Sequence, residues 1–140
     1  IRYKKKGFPL YLKETNEASF EYDFILSNES IVKIRDIIST KLKEDDYDTQ
    51  MIEYLFEELL TKIYEKNSHK KVCCECSIFL NENYARVIIR DNGVIFNFVD
   101  QDNHSDTINT LLLNSLLTNV KEKDYLVTSS VNRNGFIFRK

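Results

Sequence analysis

One stretch, residues 48–67, constrains the fold most, because its pattern is that of a helix with one buried face. Glu58 and Lys62 lie one helical turn apart on the flank of that face. Asp48 precedes the stretch and can accept amide hydrogens of the first turn. The apolar residues recur at steps of three and four, the period of an amphipathic helix: Met51, Ile52, Leu55, Phe56, Leu59, Leu60 and Ile63.

The chain has enough apolar material for one compact domain, since 42% of its 140 residues are hydrophobic. Its 20 Lys and Arg against 22 Asp and Glu give a net charge of −2, which provides no bulk attraction to nucleic acid or an anionic membrane. No apolar run approaches the roughly 20 residues that cross a bilayer. We therefore predict one cytoplasmic domain over residues 20–140, preceded by an arm or linker over residues 1–19, without nucleic-acid or membrane contact.

Three cysteines, Cys73, Cys74 and Cys76, crowd one segment. An odd number this close together is not a disulfide framework and indicates a reducing compartment. Cys73 and Cys76 form a C-x-x-C near His69, so a metal or redox site is one interpretation. A strand over residues 72–80 would separate them onto opposite faces, and no second ligand pair completes a zinc site. We predict buried, metal-free cysteines.

Periodicity and turn signals give the order of the remaining elements. Strands are predicted over residues 8–12, at a sheet edge, and 20–26, and a first helix follows the capping residues 27–30. Residues 72–80, 84–90 and 94–99 should form an antiparallel meander. A third helix over residues 108–120 precedes a hairpin that turns at residues 132–135. This order predicts an α+β fold, a two-layer sandwich of about three helices on one face of a mixed, mostly antiparallel sheet.

Within that order, three segments carry a resemblance to a known family: IRDII at residues 34–38, FEELLT at 56–61 and VIIRDNG at 87–93. From residue 20 onward the chain resembles the Bergerat-fold (GHKL) ATPase superfamily, in particular the anti-sigma-factor serine kinases and the ATP-binding domains of sensor histidine kinases. The resemblance implies a nucleotide pocket between a helix and the end of a strand. It also implies a protein partner that the domain regulates.

In such proteins a helix glutamate activates a water or a substrate hydroxyl, and an asparagine one turn later coordinates magnesium. The aspartate of a D-x-G turn accepts a hydrogen bond from the adenine amino group. The resemblance assigns the first role to Glu58, the last to Asp91, and a close backbone approach to Gly93. Lys62 stands at the asparagine position, where its ammonium has no acceptor for a cation.

Other departures from the family concern the residues that would contact the phosphates and the adenine. Ile95 replaces the second glycine of D-x-G-x-G, and three glycines in the whole chain cannot form a glycine-rich lid. Phe136 follows Gly135 where the family often places a hydroxyl. The resemblance therefore implies a degenerate domain that works as a regulatory or protein-interaction module with weak or no ATP turnover. We expect no resident cofactor and no magnesium, with ATP as the nucleotide to test.

Several alternatives stay open. The domain could be an ATP-binding serine/threonine kinase of the anti-sigma-factor type, with Glu58 as general base and Lys62 replacing the metal's charge. It could instead be a structural terminal domain, and the protein partner could be a second copy in a homodimer. Glu58 and Lys62 also form an i,i+4 pair in the order that favours a helix ion pair. Asp91, Asn92 and Gly93 also fit an ordinary hairpin turn with positive φ.

Overall fold

The computed structural model describes residues 18–96 and 122–139. In chain order its elements are β1 (Phe20–Ile25), α1 (Asn28–Glu44), α2 (Gln50–Lys66), β2 (Cys73–Leu80), β3 (Tyr84–Asp91), β4 (Glu122–Thr128) and β5 (Val131–Arg139). The predicted α+β class is confirmed. The strands form one sheet in the order β1-β2-β3-β5-β4, and each neighbouring pair is antiparallel. The prediction of a mixed sheet is wrong for these strands, because β5 runs antiparallel to both β3 and β4.

The hydrophobic core lies between the two helices and one face of the sheet. The predicted apolar face of α2 is buried, including Leu55, Leu59 and Ile63, whereas Met51 is 46% exposed. The Phe56 ring meets the Phe136 ring edge-on, with centroids 5.5 Å apart. This contact joins α2 to the middle of β5.

Both helices begin at polar residues that the sequence marks. Ser27 is the N-cap of α1, where Ser27 and Ser30 each accept the other's backbone amide in a capping box. Asp48 Oδ1 accepts the Gln50 amide at 3.2 Å, as predicted for the first turn of α2. Thr49 occupies the cap position itself and makes no capping bond through its side chain.

The cysteine-rich strand is β2, and its alternation separates Cys73 from Cys76 as predicted. Cys74 and Cys76 pair in register with Phe24 and Tyr22, whereas Cys73 lies on the other face of the sheet. All three are buried and free of disulfides. Within residues 18–96 and 122–139, no group of three or more His, Cys, Asp or Glu residues is placed to hold a metal ion. No helix in that part is both long and apolar enough to span a bilayer.

The closing hairpin turns at Ser129 and Ser130, so the turn predicted at residues 132–135 is wrong. Both serines have positive φ, 52° and 64°, as a two-residue type I′ hairpin loop requires. The Asn-Gly sequence that suggested the turn continues instead as extended strand through Gly135. The correction places Asn132 and Asn134 in a central strand.

The predicted meander also ends one strand early. Residues 94–96 are not in a strand, and β5 occupies the place beside β3 that we assigned to residues 94–99. Residues 97–99, the predicted third helix at 108–120, the edge strand at 8–12 and most of the N-terminal arm lie outside the described residues. Two helices are therefore described where about three were predicted.

Candidate functional site

Asp91 is the last residue of β3, and its carboxylate is buried on the core face of the sheet. Cross-strand register places it between Cys74 of β2 and Asn132 of β5. Its Oδ1 accepts the Gly93 amide and the Asn132 side-chain amide, both at 3.0 Å. Its Oδ2 is buried and has no hydrogen-bond partner among the described residues. One carboxylate oxygen is thus held in place, and the other remains an unused acceptor.

Burial dominates the electrostatics of this carboxylate. It raises the pKa of Asp91 from 3.8 to about 6, although the bonds from Asn132 and Gly93 favour the charged form. Burial, followed by the nearby Asp91 charge, also raises the pKa of the Cys74 thiol well above its ordinary value. Cys74 is therefore a neutral neighbour, and the site is poor in compensating positive charge.

Asn132 connects Asp91 to the segment that follows β3. Its Nδ2 donates to Asp91 Oδ1 at 3.0 Å and to the Val94 carbonyl at 2.9 Å. Its Oδ1 accepts from the Phe96 amide at 3.3 Å and from the Tyr125 hydroxyl. A side-chain amide has two donor hydrogens and two acceptor lone pairs, so every hydrogen-bonding position is used. Asn132 therefore fixes both the carboxylate and the backbone beside it.

Asn134 is fully buried two residues further along β5, on the same face. Neither its Oδ1 nor its Nδ2 has a hydrogen-bond partner in the described part of the chain. Because it pairs with Ile89, it is the diagonal neighbour of Asp91, at a Cα separation of about 7–8 Å. Buried polar groups are seldom left unpaired. Asp91 Oδ2 and Asn134 Oδ1 are therefore two acceptor atoms, and Asn134 Nδ2 is one donor group, without a partner among the described residues.

The D-N-G turn is held against the end of α2 by Asn67. Asn67 Oδ1 accepts the Val94 amide at 3.0 Å, and its Nδ2 donates to the Ile63 carbonyl at 2.8 Å. A Cβ at Gly93 would lie only 2.5 Å from Asn67 Nδ2, so a larger residue there would have to displace the Asn67 side-chain amide. Positive φ, which we expected at an Asn-Gly turn, does not occur at Gly93.

Asn92 extends the ladder between β2 and β3 instead of turning the chain into a third strand. Its backbone amide donates to the Cys73 carbonyl at 3.1 Å, and its Oδ1 accepts the Cys73 amide at 2.9 Å. The ordinary hairpin interpretation of this turn is therefore not supported by residues 94–96, which form no strand, and β2 and β5 are the neighbours of β3 among the described strands.

On α2, Lys62 pairs with a different acid from the one expected. Its Nζ lies 3.7 Å from Glu65 Oε1, and no ion pair joins it to Glu58 in the described part of the molecule. Burial raises the pKa of Glu58 more than the Lys62 charge lowers it. Glu57, the other acid of the motif, accepts from Arg35 at 3.0 Å and links the two helices.

The structure therefore brings two of the four predicted site residues together, Asp91 and Gly93. Among the residues described, no hydrogen bond or ion pair connects Glu58 or Lys62 with them. Asp91 and the polar side chains around it form what we call the polar cluster: Asn67, Tyr125, Asn132 and Asn134. Sequence reasoning missed these four. The available signal was the alternation of Asn132 and Asn134 with Phe136, which fits one face of a strand better than a turn.

Comparisons with known proteins do not identify a family for this chain. No protein-family model matches the chain, and no curated protein matches it. We therefore infer the function from the geometry around Asp91 and from the residues of α2.

Proposed function

We propose that this chain is a degenerate histidine kinase-like ATPase domain of the Bergerat type, a regulatory or protein-interaction module with weak or no ATP turnover. The supporting observation is the buried carboxylate of Asp91, which has one oxygen held by Asn132 and the Gly93 amide and the other unused. Asp91 lies at the end of β3, and Asn67 at the end of α2 holds the turn that follows it.

The polar cluster suits the base of a nucleotide better than its phosphates. Asp91 Oδ2 can accept from an exocyclic amino group, and the Asn134 amide can pair with a ring edge that offers both a donor and an acceptor. Adenine presents such an edge, with an amino donor beside a ring-nitrogen acceptor. A phosphate would meet the charge of Asp91 without a compensating cation in this cluster.

At the expected metal position, α2 offers a cation instead of a ligand. Magnesium requires oxygen ligands in octahedral geometry, and the Lys62 ammonium, paired with Glu65 at 3.7 Å, provides none. Phosphoryl transfer depends on a cation that neutralises the charge developing on the phosphates. Weak or absent turnover follows from this single position, even if adenine binds.

One observation favours the alternative, an ATP-dependent serine kinase. The pKa of Glu58 is raised, chiefly by burial, and a general base is most effective when its pKa approaches the working pH. In this alternative Lys62 replaces the metal at the phosphates. Transfer of labelled phosphate from ATP to a protein serine, abolished by Glu58→Gln, would support the kinase.

Calorimetric titration with adenosine, ADP and ATP, each with and without magnesium, tests the proposal. We expect weak binding of similar strength for all three ligands, unchanged by magnesium and lost in Asp91→Ala. Asp36→Asn, which removes an exposed carboxylate far from the cluster in sequence, serves as the control. Lys62→Asn should recover little magnesium dependence, because the lid glycines are still missing. Strong magnesium-dependent ATP binding by the unaltered protein would favour the kinase, and failure of adenosine to bind would contradict the assignment of the base site.

A further inference from the structure

The hydrogen bonds around Asp91 decide which of its two oxygens can carry a proton. Its Oδ1 accepts from the Gly93 amide and from the Asn132 side-chain amide, both at 3.0 Å. These two donors occupy the lone pairs of Oδ1, so a proton taken up by the carboxylate binds Oδ2. Oδ2 therefore accepts a hydrogen bond when Asp91 is ionised and donates one when Asp91 is neutral.

Asn132 keeps this assignment fixed, because its own amide cannot be reversed. Its Oδ1 accepts from the Phe96 amide at 3.3 Å and from the Tyr125 hydroxyl. Reversing the amide would direct N–H groups at the backbone N–H of Phe96 and remove that bond. The backbone amide of Gly93 can only donate. Both neighbours of Oδ1 are therefore permanent donors, and the proton stays on Oδ2.

Asn134 differs from Asn132, because neither end of its amide is held. The side chain is fully buried, and its Oδ1 and Nδ2 have no hydrogen-bond partner among the described residues. A half-turn of this amide breaks no hydrogen bond in that part of the chain, so Asn134 can offer a ligand either an acceptor or a donor. It lies diagonal to Asp91 across the β3–β5 pair and on the same face, so one ligand can contact both side chains.

We propose that the polar cluster binds two classes of purine, a 6-aminopurine when Asp91 is ionised and a 6-oxopurine when it is neutral. Adenine presents an amino donor beside a ring-nitrogen acceptor, which match the ionised Oδ2 and Asn134 Nδ2. Hypoxanthine presents a carbonyl acceptor beside a ring N–H donor, which match the protonated Oδ2 and Asn134 Oδ1. One proton on Asp91 and a half-turn of Asn134 thus invert the whole pattern of donors and acceptors.

The proton on Asp91 exchanges in an accessible pH range, since burial raises the pKa of this carboxyl to about 6. Burial also raises the pKa of the Cys74 thiol on β2 and of the Tyr125 hydroxyl on β4, so both stay neutral there. From β5 the cluster receives only amide side chains. At the end of α2, the Lys66 ammonium lies 5.3 Å from the centroid of the Phe96 ring, and lysines are charged throughout this range. Among the described groups around the cluster, Asp91 is thus the one that titrates.

Adenosine binding at neutral pH is common to this inference and to the proposed function, on which the inference rests. The change of preference with pH belongs to the inference alone. If adenosine binds and its preference over inosine is the same at acidic and neutral pH, the inference fails and the proposed function stands. If neither nucleoside binds at either pH, both fail.

Calorimetric titration of the unaltered protein with adenosine and with inosine, at about pH 5 and about pH 7.5, tests the inference. Both nucleobases remain neutral at these pH values. With a pKa of about 6, about a tenth of Asp91 is ionised at the lower pH, and apparent affinity falls in proportion to the competent fraction. We expect a preference for inosine at the lower pH and for adenosine at the higher, with the ratio of the two dissociation constants changing by about tenfold or more. A change in the opposite direction would overturn the inference.

The variant Asp91→Asn supplies the donor without a proton. Its amide oxygen must occupy the position of Oδ1, because Gly93 and Asn132 both donate there, so its NH₂ group takes the position of Oδ2. We expect this variant to prefer inosine at both pH values, and a preference for adenosine at about pH 7.5 would contradict the inference. Asp36→Asn makes the same change on an exposed carboxylate and should keep the pH-dependent preference. Loss of that preference in the control as well would overturn the role of Asp91.

The variant Asn134→Ala tests the reversible amide. It should weaken adenosine at neutral pH and inosine at acidic pH by similar factors of about fivefold to tenfold, because the same amide serves both purines. A loss confined to one nucleoside would show that the amide is fixed, against the inference. Circular dichroism at both pH values confirms that each variant is folded, and the comparison of the two nucleosides on the unaltered protein depends on no variant.

Discussion

Replacing Asp91 with asparagine should remove a pH-dependent cost that the buried carboxylate imposes on folding. Folding raises the pKa of this group from 3.8 to about 6, because burial outweighs the bonds from Asn132 and Gly93. The folded protein therefore holds the proton more tightly than the unfolded chain. This contribution to stability is complete below about pH 4 and is lost as the pH rises through about 6.

The size of the effect follows from the difference between the two pKa values. At 1.36 kcal/mol per pKa unit, a rise from 3.8 to about 6 corresponds to about 3 kcal/mol at neutral pH. The neighbours do not titrate in this interval, since the pKa values of Cys74 and Tyr125 are raised above their ordinary values of 9.0 and 10.0. Between acidic and neutral pH, the free energy of unfolding of Asp91→Asn should therefore rise by about 1–3 kcal/mol relative to that of the unaltered protein.

Urea unfolding of both proteins at about pH 4, 6 and 7.5 measures this difference, and background titrations common to both cancel. The two unfolding free energies should also differ by an amount that does not change with pH. Its size depends on whether the new amide forms a hydrogen bond with a group such as Asn134. The diagnostic quantity is the change of the difference with pH. A difference that stays constant across the range, or that moves against the variant as the pH rises, would refute the burial argument.

Three further substitutions test the connections around the cluster by urea unfolding. Asn132→Ala removes four hydrogen bonds, although Asp91 Oδ1 keeps the bond from the Gly93 amide, and the variant should lose about 3 kcal/mol or more of unfolding free energy. A loss below about 1 kcal/mol would contradict the central role of Asn132. Gly93→Ala must displace the Asn67 side-chain amide, whose two hydrogen bonds are exposed or partly buried, and should lower the unfolding free energy by about 1 kcal/mol. Unchanged stability would contradict a role for Asn67 in holding the turn. The double variant Ser129→Asn/Ser130→Gly should gain about 1 kcal/mol in unfolding free energy, because both residues adopt the left-handed backbone region that Asn and Gly favour. A loss would contradict the type I′ turn.

The helices and the first strands could be predicted from local pattern alone. The spacing of Leu55, Leu59 and Ile63 specifies one face of α2, and the alternation through Cys73 and Cys76 specifies β2. The α2 pattern reports burial directly, and the structure buries that face, whereas β2 is buried on both faces from Cys73 to Ile78. The hairpin could not be predicted in this way. Two serines at positive φ carry no strong turn signal, whereas the Asn-Gly that does carry one is held extended by pairing with β3.

The site was predictable only in part, for a related reason. Asp91 and Gly93 belong to a contiguous motif, so a resemblance can identify them. Asn132 reaches Asp91 across 41 positions of the chain, and only the register of β3 with β5 reveals that contact. Lys62 was expected beside Glu58, one turn earlier, but its ammonium pairs with Glu65, and the sequence spacing permits both pairings.

The register of β3 with β5 also bears on the order of folding. The β4–β5 hairpin closes over a two-residue loop, so it can form within microseconds, as can the turns of α1 and α2. Docking the hairpin onto β3 requires closure of a much longer loop, whose entropy cost comes before any contact is made. We therefore expect the bonds around Asn132 to assemble late and to open first in native-state hydrogen exchange. A ligand held between Asp91 and Asn134 would then slow exchange along β4 and β5 while leaving α1 and α2 unchanged.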